Sequence, residues 1–551
     1  MRMDRLRIFP KQQGFLSIVA VLLIVAVAFI GVALTYMTVS SSSSTNNFAQ
    51  SENVLYAASA GFEETARLLL TPNLSGSNAR IACASITGNS NLTNTSFGSG
   101  TFTATTGSGS PYYVNTTLSS AITSTSSTIP VASTAGFAPA GRVIVDREII
   151  SYGGISGNSF VGIERGANVN NGRAHVSGAY VAQYQCNVVV NAGIPNLTSP
   201  LYQRQIQQSL QLQEGWAVGN LSGFNFELAH WNRPTEIVWS SSTLSSISAA
   251  TLNAVSMLSN AEGWAVGNVV GSAFTLLHYA GSSWSLATSP TACSGQNLNG
   301  VSAVYHQEAW AVGVNYGGNG SCGGTKRYTV LYWNGTGWTE LTPTSSIPIP
   351  ADNNNNQTLN AVHVIDSNND GKGDVGFAVG NSGTILQYNG SAWTKSSDHP
   401  TSNHLLDVYV VSASEAWAVG AGGVIIKWDG SSWSTVSSPT TTQLNGIVML
   451  DTDLGGTANV GWAVGNSGVA VTYNGSSWSS KNTGSSSNLF EVRMFFTNPD
   501  QDVWAVGAAG TIMHYNGSAW SSVSSGTTVQ LNSISLIAPQ QYPFAWQEIF
   551  A

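Results

Sequence analysis

The chain has 551 residues, of which 42% are hydrophobic and 8% are charged, and its net charge is −8. This length allows two to four domains, and the hydrophobic content excludes general disorder. Residues 214–551 contain only eight Lys and Arg residues, which excludes the clustered cations that nucleic-acid binding needs.

The N-terminus joins a basic leader to a long apolar segment. Residues 1–14 contain three arginines and a lysine, and residues 15–37 contain no charged residue. About 20 apolar residues are enough for a helix to cross the hydrocarbon layer of a bilayer. The sequence therefore predicts a cytoplasmic leader at 1–14 and a helix over 15–70 with a transmembrane half at 15–37.

The junction between Gly14 and Phe15 resembles the leader of type IV prepilins, which a dedicated prepilin peptidase cuts at this point. A plain signal anchor is the alternative. Val19 stands where major pilins carry a glutamate that pairs with a neighbouring subunit, which is similar to the PilX-like and GspK-like minor pilins at filament tips. The resemblance implies contact with other pilin subunits through the helix. It also implies a single-pass position in the inner membrane before assembly, then the cell surface or pilus.

Residues 50–70 continue the helical pattern, with apolar residues Leu55, Ala58, Phe62, Ala66 and Leu69 on one face. This stretch resembles the amphipathic half of the PilX-like pilin helix, whose apolar face is expected to pack on a sheet.

Residues 71–213 are rich in Ser, Thr and Gly and contain period-2 strand patterns without a helix signal. They predict a pilin-like β domain with a small β insert at 117–181. The polar residues Glu148, Arg165 and His175 of the insert are expected to serve turns and strand pairing rather than a ligand.

A Trp-Ala-Val-Gly motif, with small variations, recurs through the rest of the chain at intervals of 40 to 67 residues. A period of this size indicates one repeated supersecondary unit. Each unit has four strand-like segments, and an Asn-Gly or Asp-Gly pair between the third and fourth predicts a type I′ hairpin. The first residues of the seven copies, which are expected to pack between units, are Trp216, Trp264, Trp310, Phe377, Trp417, Trp462 and Trp504.

Repeated units of four antiparallel strands predict a seven-bladed β-propeller over residues 214–543. A right-angled solenoid is the alternative. Residues 544–551 are expected to form a C-terminal strand, with a return to the pilin-like sheet as a hypothesis. The predicted fold class is mainly β with one long N-terminal helix: a pilin-like α+β stalk domain followed by the propeller.

One departure from the repeat suggests a metal. Asp366, Asn368, Asp370 and Asp374 place oxygen donors at positions 1, 3, 5 and 9 of a loop with glycine at position 6. Calcium prefers such donors around a tight turn. The loop resembles the short calcium loops of some propellers, including PilY-type tip adhesins. The sequence predicts calcium here, and a solvated Asp/Asn turn is the alternative.

The four cysteines form no Cys-x-x-Cys pair, so neither zinc nor thioredoxin-like chemistry is indicated. An even number in an exported chain favours disulfides. We predict Cys83–Cys186 in the first globular part and Cys293–Cys322 in the repeats, with free buried thiols as the alternative.

Catalytic motifs such as His-Glu-x-x-His and Gly-x-Ser-x-Gly are absent from the sequence. His230, His278 and His514 occupy equivalent strand positions, which indicates a structural role. We therefore expect no enzymatic activity.

The resemblance implies a type IV pilus-associated minor pilin near the filament tip, whose propeller serves adhesion or recognition of a surface glycan or protein. The alternatives are a structural subunit that primes pilus assembly and a membrane-anchored periplasmic scaffold.

Overall fold

The computed structural model describes residues 53–62, 64–65, 68, 83–98, 100–107, 112–165, 172–194, 197–198, 202–211, 214–222, 225–232, 240–243, 250–314, 328–350, 358–452, 455–497 and 500–537. The predicted leader, the Gly14–Phe15 junction, the apolar segment 15–37, Cys322 and the expected strand 544–551 lie outside these residues.

A helix packed on a sheet begins the described fold. The helix, α1, comprises the helical residues 53–62, 64–65 and 68. Val54, Ala58 and Phe62 recur every four residues, which places them on one face. All three are buried in a cluster with Val188 and Val190 of the sheet. The predicted apolar face of this part of the helix therefore meets a β-sheet.

Two further features tie α1 to the sheet. Gly61 lies so close to the sheet that a Cβ at this position would stand 2.5 Å from the ring of Phe102, which accounts for a glycine within a helix. Cys83 and Cys186 form a disulfide with a Cα–Cα distance of 5.9 Å. Cys83 begins a short 3-10 turn, Cys83–Ser85.

The N-terminal sheet has nine strands among the described residues. They are β1 (Thr95–Phe97), β2 (Gly100–Thr106), β3 (Tyr112–Thr117), β4 (Thr128–Pro130), β5 (Gly141–Val145), β6 (Glu148–Ser156), β7 (Ser159–Glu164), β8 (Tyr180–Ile194) and β9 (Tyr202–Gln211).

Strand β8 organises this sheet. Its C-terminal half lies between β2 and β9, and its N-terminal half pairs with β3 and with β5. Through β5 the sheet continues into β6, β7 and β4. The insert predicted at 117–181, which we call the module, is therefore an extension of the same sheet. Its own core includes Ile129, Val143, Ile150 and Phe160.

The remaining strands form seven four-stranded sheets among the described residues, which we call blades 1 to 7. Blade 1 contains β10 (Glu214–Ser222), β11 (Asn225–Asn232), β12 (Ser240–Thr243) and β37 (Leu531–Ile537). Blade 2 contains β13 (Leu252–Ser259), β14 (Glu262–Val270), β15 (Ala273–Ala280) and β16 (Ser283–Leu286). Blade 3 contains β17 (Leu298–Tyr305), β18 (Glu308–Gly313), β19 (Thr329–Trp333) and β20 (Trp338–Glu340).

The other four blades follow the same order. Blade 4 contains β21 (Leu359–Ile365), β22 (Val375–Gly380), β23 (Ile385–Tyr388) and β24 (Trp393–Lys395). Blade 5 contains β25 (Leu405–Ser412), β26 (Glu415–Gly420), β27 (Ile425–Trp428) and β28 (Trp433–Val436). Blade 6 contains β29 (Leu444–Leu450), β30 (Val460–Gly465), β31 (Ala470–Tyr473) and β32 (Trp478–Lys481), and blade 7 contains β33 (Leu489–Thr497), β34 (Asp500–Gly507), β35 (Ile512–Tyr515) and β36 (Trp520–Val523).

The innermost strands form a closed ring around an axis. Each of β13, β17, β21, β25, β29 and β33 contacts the next, and β37 contacts both β33 and β13. β37 joins blade 1 by pairing antiparallel with β10, where Trp216 lies opposite Ser535. Blade 1 therefore combines strands from the two ends of the repeat region.

The hairpins between the third and fourth strands occur where the Asn-Gly and Asp-Gly pairs predicted them, but they are not type I′ turns. Only the glycine has positive φ, as at Gly390 with φ 84°. The Asn389 side-chain oxygen accepts hydrogen bonds from the backbone N–H groups of Ser391 and Ala392 at 3.1 and 3.0 Å. This side-chain contact stabilises a four-residue loop in place of the two-residue turn.

Candidate functional site

Polar side chains at the axis of the ring accept hydrogen bonds from the unpaired edges of the inner strands. An inner strand has no partner on its axial side, so its N–H groups need other acceptors. Ser256 and Ser302 accept from the backbone of Ala303 and Val364 in the next blade, each at 3.1 Å. The pairs Ser533–Val255, Ser535–Met257, His363–Val410 and Asp407–Ile447 repeat the arrangement.

Blades 5 and 7 place charged residues at these axial positions. Asp407 and Glu491 lie close enough to affect each other's pKa, and Arg493 donates to Glu491 at 2.5 Å. The Arg493 side chain is 30% exposed and that of Glu491 is 14% exposed. Burial raises the pKa of Glu491 to about 8, and the charge of Asp407 adds to the rise while Arg493 opposes it. The axis therefore holds a solvent-accessible cluster of charges.

The module contributes an arginine to the same axis. Asp146 and Arg147 form the turn between β5 and β6, both with positive φ, at 43° and 69°. Arg147 donates through Nε to the Met257 carbonyl at 3.1 Å and through its terminal nitrogen to Ser256 Oγ at 3.2 Å. Asp146 accepts from the backbone N–H of His306 at 3.1 Å. The hairpin tip thus docks where the inner strands of blades 2 and 3 end.

The residues that the sequence singled out in the module form the support for this turn. His175 contacts Asp146 at 2.9 Å through Nδ1 and Glu148 at 2.6 Å through Nε2. Arg165 forms two hydrogen bonds of 2.9 Å with the Glu148 carboxylate. Burial alone would lower the pKa of His175, but its two carboxylate partners raise it overall. Glu148, Arg165 and His175 thus act together in one buried network.

The opposite end of the axis is lined by asparagines at the start of the inner strands. Asn253 donates to the Leu298 carbonyl of the next blade at 2.7 Å, and Asn445 does the same to Leu489 at 2.7 Å. Asn299, Asn360 and Asn532 repeat this contact. The contacts of Asp146 and Arg147 lie at the other end of the axis. We call the asparagine-lined end the open face.

A second inter-blade contact uses an acid two residues before the repeated tryptophan. Glu415 accepts from the Trp417 indole N–H at 2.6 Å and from the Ala458 backbone N–H of the next blade at 3.2 Å. Glu308 makes the equivalent pair of contacts with Trp310 and Gly373, each at 2.9 Å. Sequence reasoning missed these acids, although their fixed position before the repeat was a readable signal.

The repeated aromatic residues lie in the cores between blades. Trp264, Trp310, Trp417, Trp462 and Trp504 are among the largest fully buried side chains of the described residues, and Phe377 and Trp216 are also buried. Trp462 packs against Trp520 of the next blade with ring centroids 5.2 Å apart. Of the three histidines, His514 stacks near Trp504 and contacts Asp502 at 2.6 Å. His230 and His278 stack on Trp216 and Trp264.

The predicted calcium loop is held by hydrogen bonds from its own backbone. Asp366 accepts from the N–H groups of Asp370 and Gly371 and from the Tyr305 hydroxyl, the last at 2.5 Å. Asp374 accepts from Ser367. The described residues contain no group of three or more His, Cys, Asp or Glu side chains placed to hold a metal. The Asp366 and Asp374 carboxylates thus accept hydrogen bonds from the protein itself, and calcium stays a prediction.

The predicted disulfides have one outcome within the described residues. Cys83 and Cys186 are bonded, and Cys293 is also disulfide-bonded. Cys322, the partner predicted for Cys293, lies outside the described residues.

The predicted localisation needs correction. Within the part of the chain that the structure describes, no helix is both long enough and apolar enough to span a membrane. The prediction of a single-pass inner-membrane protein is therefore wrong on this finding. It rested on residues 15–37, whose structure is outside the described part.

The ring of four-stranded sheets defines the class of the larger domain: it is a β-propeller. No protein-family model and no curated protein matches the chain. Among solved structures it is similar to YCF48 bound to a D1 peptide, with 17% identity over 56% of this chain and 86% of that chain and a TM-score of 0.36. It is also similar to the WD40 β-propeller domain of Doa1, with 12% identity over 52% of this chain and 86% of that chain and a TM-score of 0.38.

A third similar structure is YCF48 from Cyanidioschyzon merolae, with 16% identity over 51% of this chain and 87% of that chain and a TM-score of 0.34. Propellers of one fold serve many unrelated functions. These likenesses therefore carry no argument about what the chain binds.

Proposed function

We propose that the chain is a type IV minor pilin-like subunit whose seven-bladed propeller is a non-enzymatic recognition module, binding its ligand at the open face. The single observation that carries the choice of face is the docking of the module at the other end of the axis. Arg147 contacts Met257 there and Asp146 contacts His306, so that end is partly covered by the chain itself.

The N-terminal part supports the pilin-like half of the proposal. An amphipathic helix packed on an antiparallel sheet is the arrangement that the leader and helix pattern predict. The Gly14–Phe15 junction and Val19 add the sequence resemblance to minor pilins. The ligand class expected from the sequence is a surface glycan or protein.

The open face has the loops that a recognition surface needs. The described strand ends beside the two longest connections of the repeat, residues 314–328 and 341–358, lie on this side: Gly313 pairs with Leu298, and Leu359 begins an inner strand. Loops displayed on a rigid scaffold are the usual carriers of binding residues. In blades 4 to 7, short turns such as Asn381–Gly383 join the second strand to the third, so the long connections differ from the rest of the repeat.

Deleting residues 214–537 from cells that form filaments tests the proposal. Normal filaments with lost attachment would support recognition. Loss of filaments would instead support the second candidate, a structural subunit that primes assembly. Mass spectrometry of sheared filaments provides the companion measurement, because a peptide that begins at Phe15 is expected only from a processed pilin.

Two double variants test the choice of face. Asn403→Lys with Asn482→Lys changes exposed loops of the open face, whereas Gln307→Lys with Ser414→Lys adds the same charge at the docked end. We expect reduced attachment only from the first pair. Equal loss from both pairs would contradict recognition by the open face.

A further inference from the structure

Three side chains in the axis have hydrogen-bond donors without an acceptor among the described residues. The backbone N–H of Val410 donates to His363 Nδ1 at 2.8 Å, so the neutral ring carries its proton on Nε2. No acceptor is recorded for that Nε2 proton or for the hydroxyl of Tyr409, and the two rings lie 4.6 Å apart. Arg493 uses only one terminal nitrogen, to Glu491 and to backbone carbonyls, which leaves its Nε and other terminal nitrogen.

These donors face an excess of positive charge. The charges of Arg147 and Arg493 both act on His363 and, with burial as the larger cause, lower its pKa to about 3. The same two guanidinium groups act on Tyr409. His363 is therefore a neutral donor between two cations.

The nearby carboxylates do not supply the missing acceptor. Asp407 already accepts from the N–H groups of Val408 and Ile447, each at 2.8 Å. Glu491 accepts from Arg493 and Ser533. The cluster thus presents unused donors beside the guanidinium groups of Arg147 and Arg493, in an axis that solvent reaches.

We propose that the axis of the propeller binds a small monoanion, such as a carboxylate or a halide, through Tyr409, His363 and Arg493 and opposite Arg147. The anion accepts hydrogen bonds from the donors of blades 4, 5 and 7 and offsets the repulsion between the two arginines. Because Arg147 belongs to the module and the other three residues belong to the propeller, the anion also fastens the module to the ring. This site goes beyond the proposed function and does not depend on it.

Bromide and acetate are the probes. Crystals of the full chain soaked in sodium bromide are expected to show an anomalous peak within hydrogen-bonding range of the Tyr409 hydroxyl and Arg493. In solution, bromide or acetate is expected to raise the melting temperature in a saturable way, with a bulky sulfonate buffer keeping the ionic strength constant.

Tyr409→Phe removes one donor with little change of shape and is expected to weaken bromide and acetate binding about tenfold, as for a lost hydrogen bond to a charged group. Tyr332→Phe, on β19 outside the axis, is the matched control and is expected to change neither affinity. A bromide map without a peak in the axis overturns the proposal whatever the variants do. Equal affinity of Tyr409→Phe and the wild type overturns the role of the hydroxyl.

Discussion

Glu415→Gln is expected to destabilise the propeller through the contact between blades 5 and 6. In the wild type the two carboxylate oxygens accept from the Trp417 indole and from the Ala458 backbone at 2.6 and 3.2 Å, and Glu415 is 1% exposed. An amide has one oxygen, so its NH2 group must face one of these two donors. The loss of one buried hydrogen bond to a charged acceptor costs about 1.5–3 kcal/mol.

The assay is thermal unfolding followed by calorimetry. For a cooperative unit of about 300 residues, a loss of about 1.5–3 kcal/mol lowers the melting temperature by about 2–5 °C. Asp398→Asn is the matched control, because it makes the same acid-to-amide change at an exposed position. An exposed charge contributes less than about 1 kcal/mol. If Glu415→Gln lowers the melting temperature no more than Asp398→Asn does, the inter-blade role of this acid is refuted.

Three further outcomes are expected. The folded module loses stability as the pH rises from 6.5 through the raised pKa of His175. It also loses stability as the pH falls from 4.5 towards the lowered pKa of Glu148, about 2, where Arg165 and His175 outweigh burial. A plot of melting temperature against pH should show both losses, and His175→Gln should reduce the loss at alkaline pH. Cys186→Ser opens a link that spans 103 residues, so it should destabilise the N-terminal domain by about 3–5 kcal/mol and leave the propeller transition in place, as calorimetry would show. Calcium titration calorimetry should give a binding signal that Asp370→Asn removes, and a wild-type titration without heat would end the calcium prediction.

The blades could be predicted because their information is local. Each unit repeats its apolar pattern and its turn residues, so four strands per unit follow without any long-range knowledge. Pairing of β37 with β10 was also implicit in the sequence. Most units begin with a Leu-Asn pair, as at Leu252 and Leu444, but no such pair precedes Trp216, whereas the pair at Leu531 has no Trp-Ala-Val-Gly motif after it. The two incomplete units complement each other, which the spacing alone did not reveal.

The axial cluster could not be predicted in the same way. Asp407 and Glu491 stand where other units have Ala, Gly or Ser, and Arg493 stands where they have Ser, His, Tyr or Val, so the sequence marked these three as departures from the repeat. Their common location depends on closure of the ring, which brings together residues of separate blades. The position of Arg147 at the axis also depends on how the module docks, for which no sequence pattern exists.

The prediction of a type I′ turn was wrong for a different reason. Asn-Gly favours two residues with positive φ in an isolated hairpin, but here the Asn389 side chain bonds to the backbone ahead of it. A local side-chain contact therefore outweighed the usual preference of the dipeptide.

Closure of blade 1 by β37 has a consequence for the order of synthesis. The backbone of Val255 and the Ser533 hydroxyl that bonds to it are 278 residues apart, so the ring stays open until the strand at 531–537 leaves the ribosome. The nine described strands of the N-terminal sheet end at Gln211, long before that, and can pair while the blades are still being made. During the interval β10 has an unpaired edge. A neighbouring nascent chain that supplies its own β37 would fill that edge equally well, so exchange of this strand between copies is the characteristic misassembly that such a ring must avoid.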